Sequence, residues 1–151
     1  MMRPSKTFLV SVSVALLLLV GYLVIPGGAS TTGYGDLCFH IRVLDQHGQP
    51  VSGPFTVTIE NVERRAVQAT GNDGLAHISH WFAKRTDTWR RSLGPTKTTE
   101  IYHLGGKLQV SAPNYQSWER PLSMLFEGNY DARKFGTNLT CTVSLTPGQG
   151  M

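Results

Sequence analysis

The chain has only 2 cysteines in 151 residues, and it contains no CxxC, HxH or HExxH spacing. Structural zinc modules, zinc peptidases and dithiol redox centres therefore lack their usual signatures. It also has no nucleophile elbow and no phosphate loop, so its Ser, His and Asp residues are not arranged for acyl transfer or nucleotide binding by any local motif. After Ile25 no stretch carries an apolar stripe at helical period, which excludes a helical bundle. Charge is missing from the N-terminal region: beyond Arg3 and Lys6 the next charged side chain is Asp36.

That gap encloses an apolar run from Phe8 to Ile25. As a helix it would be about 27 Å long, close to the roughly 30 Å hydrocarbon core of a bilayer. The run exceeds the length of an ordinary signal-peptide core, which favours a single-pass anchor through residues 8–25. The alternative is a cleaved signal, because Pro26-Gly27-Gly28-Ala29-Ser30 breaks the helix and offers small residues for cutting after Ala29. Arg3 and Lys6 place the N-terminus in the cytoplasm and the rest of the chain outside. An anchored membrane protein with an extracytoplasmic domain is expected, or a secreted or periplasmic one after cleavage. A lipoprotein is not, since Cys38 lies far past the run and outside a lipobox.

The expected organisation is a signal-anchor or signal peptide over 1–29, a Gly/Ser/Thr-rich tether over 30–36, one domain over 37–147 and a tail over 148–151. Two of the 14 basic residues are Arg3 and Lys6, leaving 12 against 10 acidic in the exported part. The cations are clustered. Lys84, Arg85, Arg90, Arg91 and Lys97 set against Asp87 give a local +4, and the remainder of the domain is −2. Localised basicity on the extracytoplasmic side argues against nucleic acid as a partner.

Period-two alternation dominates the domain. Leu37, Phe39, Ile41 and Val43 would face a core while His40 and Arg42 face water. Asp45 to Pro50 supplies turn chemistry, Phe55–Ile59 repeats the alternation, and 66–70 can pair with it. Asn72-Asp73-Gly74 is a tight-turn sequence ahead of Leu75–Phe82. Further strands are expected over 98–103, 107–112, 117–122 and 139–145, giving an all-β sandwich of about seven strands behind one N-terminal transmembrane or signal helix.

The phrase Ile41-Arg42-Val43-Leu44-Asp45-Gln46-His47-Gly48-Gln49-Pro50-Val51, followed by Thr70-Gly71-Asn72-Asp73-Gly74-Leu75-Ala76, resembles the opening of carboxypeptidase regulatory-like domains. Lys107 to Tyr115 resembles that family's V-x-A-x-G-Y strand and turn, with Asn114 in the usual glycine position, and 139–147 resembles its last strand. The resemblance implies a transthyretin-like Greek-key sandwich and a non-enzymatic adhesion, scaffolding or carrier-attached role. Segments 82–106 and 124–138 are longer than the family's connections, so a specific function would be added there. The transthyretin-like fold also hosts a hydrolase of a purine-derived ring with a Tyr-Arg-Gly-Ser ending. This chain has Pro147-Gly148-Gln149-Gly150-Met151 instead. Sandwiches with internal isopeptide bonds need a first-strand lysine, which Leu37–Leu44 lacks.

The segment from His80 to Arg91 interleaves aromatic and cationic residues, so Lys84, Arg85, Trp89, Arg90, Arg91 and Lys97, with Tyr102, form the candidate binding surface. Such a combination suits an acidic protein face or an anionic glycan or lipid. The competing reading is that the cations merely solvate a loop while Trp81 and Phe82 divide between core and strand end. His77, His80 and His103, with Asp73, are the candidates for metal-dependent or hydrolytic chemistry. Positions three apart on a strand point to opposite faces, so no metal, cofactor or catalytic set is expected, and the histidines read as surface or strand-end residues. Cys38 and Cys141 either form a bridge between first and last strands, which would contribute about 4 to 5 kcal/mol by chain entropy, or remain thiols. Parity opposes the bridge, because Cys141 shares the inward set and Cys38 alternates with inward Phe39. Asn138-Leu139-Thr140 is a glycosylation triplet. The expected function is a tethered binding or scaffolding module. A small hydrolase or metal-dependent enzyme, and a purely structural envelope module, are the alternatives.

Overall fold

Alternating apolar residues bury one face of a strand, and two such faces closed on each other make a core. A computed structural model of the chain, describing residues 14–18, 20, 27–90 and 95–148, shows this arrangement. Nine strands occur among the described residues: β1 (Gly27–Leu44), β2 (Phe55–Glu60), β3 (Ala66–Gly71), β4 (Leu75–Arg90), β5 (Lys97–His103), β6 (Lys107–Ser111), β7 (Trp118–Pro121), β8 (Asn129–Asp131) and β9 (Asn138–Ser144). They form a five-stranded sheet in the order β8-β5-β4-β1-β9 and a four-stranded sheet in the order β3-β2-β6-β7. The molecule is mostly β, as the alternation implied.

Leu37, Phe39, Ile41 and Val43 are each at most 1% exposed, and Leu139, Cys141 and Val143 continue the layer from β9. From the other sheet come Val57, Ile59, Leu108 and Val110. Phe39 lies 5.8 Å from both Phe82 and Phe126, ring centre to ring centre. Each fully buried side chain of this size contributes roughly 1.5 to 3 kcal/mol, so this layer is the main source of stability. β1 and β9 pair in parallel, with Ile41 opposite Cys141. β2 pairs antiparallel with both β3 and β6.

The turns follow their chemistry. Asp45 Oδ1 accepts from the N–H groups of His47 and Gln49 at 2.8 and 2.9 Å. Asp73 and Gly74 both have positive φ (50° and 73°), the signature of the tight two-residue turn, and Asn72 and Leu75 exchange hydrogen bonds across it. This turn carries the chain from β3 in one sheet to β4 in the other. Asn114 adopts φ 66°, a left-handed conformation that glycine and asparagine tolerate best.

Two expectations need correction. Residues 30–36 are strand, not tether, because β1 begins at Gly27. β4 continues to Arg90, so Lys84–Arg90 is strand and not loop. Neither stretch alternates cleanly, but β1 and β4 are neighbours in the sheet, so each satisfies the other's backbone groups where side-chain patterning is weak. Segment 124–138 is likewise structured: it holds the end of the one-turn helix α1 (Leu122–Leu125), β8 and the one-turn helix α2 (Ala132–Phe135). Asp131 starts α2, its carboxylate accepting from Arg133 and Lys134 N–H.

The chain divides into two compact units, residues 1–31 with 87–98, and residues 32–86 with 99–151. Every residue of the buried core belongs to the larger unit. Of the apolar run, Val14–Leu18 and Val20 are helical and exposed, and its other residues lie outside the described ones; Gly27–Ala29, expected to end the signal segment, belong to β1. Among the described residues no helix is long and apolar enough to cross a membrane.

Candidate functional site

β4 changes character along its length. From Ala76 to Phe82 the even-numbered residues Ala76, Ile78, His80 and Phe82 are buried, and Leu75, His77 and Ser79 are exposed. From Lys84 onward no side chain of the strand is buried. Within the larger unit, Lys84 Nζ is 3.8 Å from Glu100 and 5.7 Å from the centre of the Tyr102 ring. Lys84 is thus anchored by a carboxylate and an aromatic face of neighbouring β5, but Tyr102, expected on the binding surface, is only 3% exposed and belongs to the core. Arg85 is exposed, and it and Asp87 each engage a partner.

Within the smaller unit, Trp89 is 58% exposed and lies against Gly28, where an added Cβ would meet the indole at 3.0 Å. Glycine there lets the indole approach the β1 backbone. Arg90 and Lys97 are exposed. Arg91 lies outside the described residues.

A second aromatic group sits where β4 meets the turn after β2. Trp81 packs edge-on against Tyr34 at 4.9 Å, with the Arg65 guanidinium 5.0 Å from its ring centre. Tyr34 donates to Glu63 Oε1 at 2.9 Å, and that hydrogen bond together with the Glu63 charge raises its phenol pKa above the ordinary tyrosine value. Asn61 supports this turn from beneath, 3% exposed. The sequence signalled Trp81 but not Tyr34, Glu63 or Arg65, since their meeting depends on sheet register.

The histidines are dispersed. His80, expected at the surface, is 2% exposed on the inward face. Its Nε2–H donates to the Arg65 carbonyl at 3.0 Å, which leaves Nδ1 as a buried acceptor without a hydrogen-bond partner among the described residues. His77 is exposed and meets His40, and His103 pairs with Asn129 at 3.0 Å. His77, His80 and His103 therefore do not converge. Among the described residues no group of three or more His, Cys, Asp or Glu side chains is placed to hold a metal ion.

Cys38 and Cys141 are both free thiols. Cys38 stands opposite Asn138 and Cys141 opposite Ile41, so they are offset by three positions and alternate to opposite faces. Cys38 Sγ instead contacts Ser79 Oγ at 3.1 Å, and Cys141 is buried, which raises its thiol pKa by desolvation. The bridge between first and last strands is not formed. Asn138 of the glycosylation triplet is exposed at the start of edge strand β9.

Compared with known proteins, the chain matches no family model and none of the curated proteins.

Proposed function

We propose that the protein is a non-enzymatic, membrane-tethered binding or scaffolding module whose extracytoplasmic β-sandwich presents the distal half of β4 to an anionic partner. The observation that carries this reading is that residues unremarkable in a loop are instead strand: Lys84 and Arg85 in the larger unit, and the exposed Trp89 and Arg90 in the smaller one. Ordered cations lose less entropy on binding than cations on a free loop, so a strand is the better platform. Trp89 lies against Gly28, three residues past the end of the apolar run. In an anchored chain that places an indole and Arg90 at headgroup height, where tryptophan and arginine are favoured. Anionic headgroups, or an acidic protein or glycan held close to them, are the ligand class this position suits. The carboxypeptidase regulatory-like, transthyretin-like Greek-key assignment belongs to the same proposal. It is supported by the two-sheet architecture and by Asn114 taking the left-handed turn position that the motif gives to glycine.

The test replaces Lys84, Arg85, Arg90 and Arg91 with glutamine in the full-length protein and compares cross-linked capture of proteins and lipids from native membranes. Partners lost selectively in the variant are expected. An identical set of partners in both proteins refutes the assignment of this surface.

A further inference from the structure

The outer face of the five-stranded sheet carries two rows of facing side chains that the binding surface does not use. His40 on β1 meets His77 on β4, their Nδ1 atoms 2.6 Å apart, ring centres 4.6 Å apart and planes at 79°. Beside them Cys38 on β1 meets Ser79 on β4. Contacts of 38 with 79 and 40 with 77 make these two strands antiparallel, so the paired residues stand directly across from each other. A depression of about 300 Å³ opens over them, lined also by Asn138.

Two imidazole nitrogens at this separation share one proton: one Nδ1–H donates and the other Nδ1 accepts. Moving that proton to Nε2 of the same ring leaves both Nδ1 lone pairs directed at one point, with no net proton lost. Neutral imidazole is the preferred protein ligand of zinc, copper and nickel ions. At zinc–nitrogen distances of 2.0 to 2.1 Å and a tetrahedral angle, the two nitrogens would stand about 3.4 Å apart. The rings must therefore part by about 0.8 Å from their present contact. His77 is exposed and can swing outward without disturbing the core, while half-buried His40 stays in place. A cross-strand pair is a firm base for such a site, because the backbone hydrogen bonds hold the two Cβ atoms at a set distance.

We propose that His40 and His77 form a two-histidine chelate for a divalent late transition-metal ion, with water entering through the depression to complete the coordination. The Cys38 thiol, turned to Ser79, is a neighbour and not a ligand. The site uses the first part of β4, before Lys84, and does not depend on the binding function proposed above.

The experiment is calorimetric titration of the full-length protein with zinc chloride, alongside His40→Ala, His77→Ala and Cys38→Ser. A single equivalent of zinc bound by the wild type is expected. Each histidine variant should bind at least about tenfold more weakly, and Cys38→Ser should match the wild type. Melting temperatures of the zinc-free variants check that they fold. As a measurement needing no variant, imidazole NMR signals of His40 and His77 should move on zinc addition while that of His103 does not. Absence of zinc binding, wild-type affinity in either histidine variant, unmoved His40 and His77 signals, or an equal loss in Cys38→Ser would each overturn the proposal.

Discussion

Asn61→Ala is the substitution that most directly tests how the two sheets are held in register around Trp81. Asn61 follows the last residue of β2 and is 3% exposed. Its Oδ1 accepts from the N–H groups of Glu63 at 3.0 Å and Arg65 at 3.1 Å, and its Nδ2 donates to the Trp81 carbonyl in the opposite sheet at 3.4 Å. The backbone adds Asn61 N–H to the Arg65 carbonyl and Arg64 N–H to the Asn61 carbonyl, both at 3.0 Å, while Arg64 sits at φ 59°. Alanine keeps these backbone bonds and removes all three side-chain bonds. At about 1 kcal/mol for each of the two short bonds and less for the long one, the loss is about 2 to 3 kcal/mol. For a domain of this size that corresponds to a fall in melting temperature of about 8 to 12 °C. Urea unfolding followed by circular dichroism gives the free energy. A loss below about 0.5 kcal/mol, the level of an ordinary surface substitution, would refute the reasoning.

Two further outcomes follow from the thiols and from Lys107. In the native protein, alkylation should modify Cys38 alone, because Cys141 is buried and its thiol pKa is raised by that burial, and a second equivalent should react only in denaturant. Mass spectrometry showing no reactive thiol in the denatured, unreduced protein would establish a bridge and contradict the register of β1 with β9. The Lys107 pKa is raised, chiefly by its hydrogen bond to Glu119 at 3.2 Å and that carboxylate's charge, with Glu60 assisting. A folded pKa above the unfolded one gives stability that is complete below the normal lysine pKa of about 10.4 and lost as pH rises through the raised value. Lys107→Gln should therefore flatten the decline in urea midpoint above about pH 10; an unchanged decline would remove Lys107 as its source.

The parts of the fold that depend on one strand at a time were legible. Leu37, Phe39, Ile41 and Val43 are inward because side chains alternate along any strand, and Asn72-Asp73-Gly74 turns because its residues accept positive φ. The stretches misread are those in which a neighbour, not the local sequence, decides. Gly27 to Asp36 has the composition of a tether, yet it is strand because β4 runs beside it. Lys84 to Arg90 has the composition of a solvated loop and is strand for the reciprocal reason. Parity spoke against a cysteine bridge without deciding it; opposite faces follow only once β1 and β9 are placed side by side in their actual register.

The same distinction explains why the sequence could separate His77 from His80 but could not bring His77 to His40. His77 and His80 are close in sequence, but three steps along a strand separate them by the thickness of the sheet: one is exposed and the other buried against Trp81 and Phe82. His77 and His40 are 37 residues apart and touch. Their meeting requires the turn at Asn72-Asp73-Gly74 to deliver β4 to the second sheet and the pairing with β1 to take one particular register. A shift of one residue would turn His77 into the core and bring Ile78 to the surface. The burial of Ile78 beside Ala76 and Phe82 forbids that shift, so the hydrophobic pattern that builds the core also fixes which imidazoles face each other outside it. A chelating pair on this sheet is thereby a consequence of core packing, and replacing Ile78 with a polar residue should loosen the His40–His77 contact without altering either histidine.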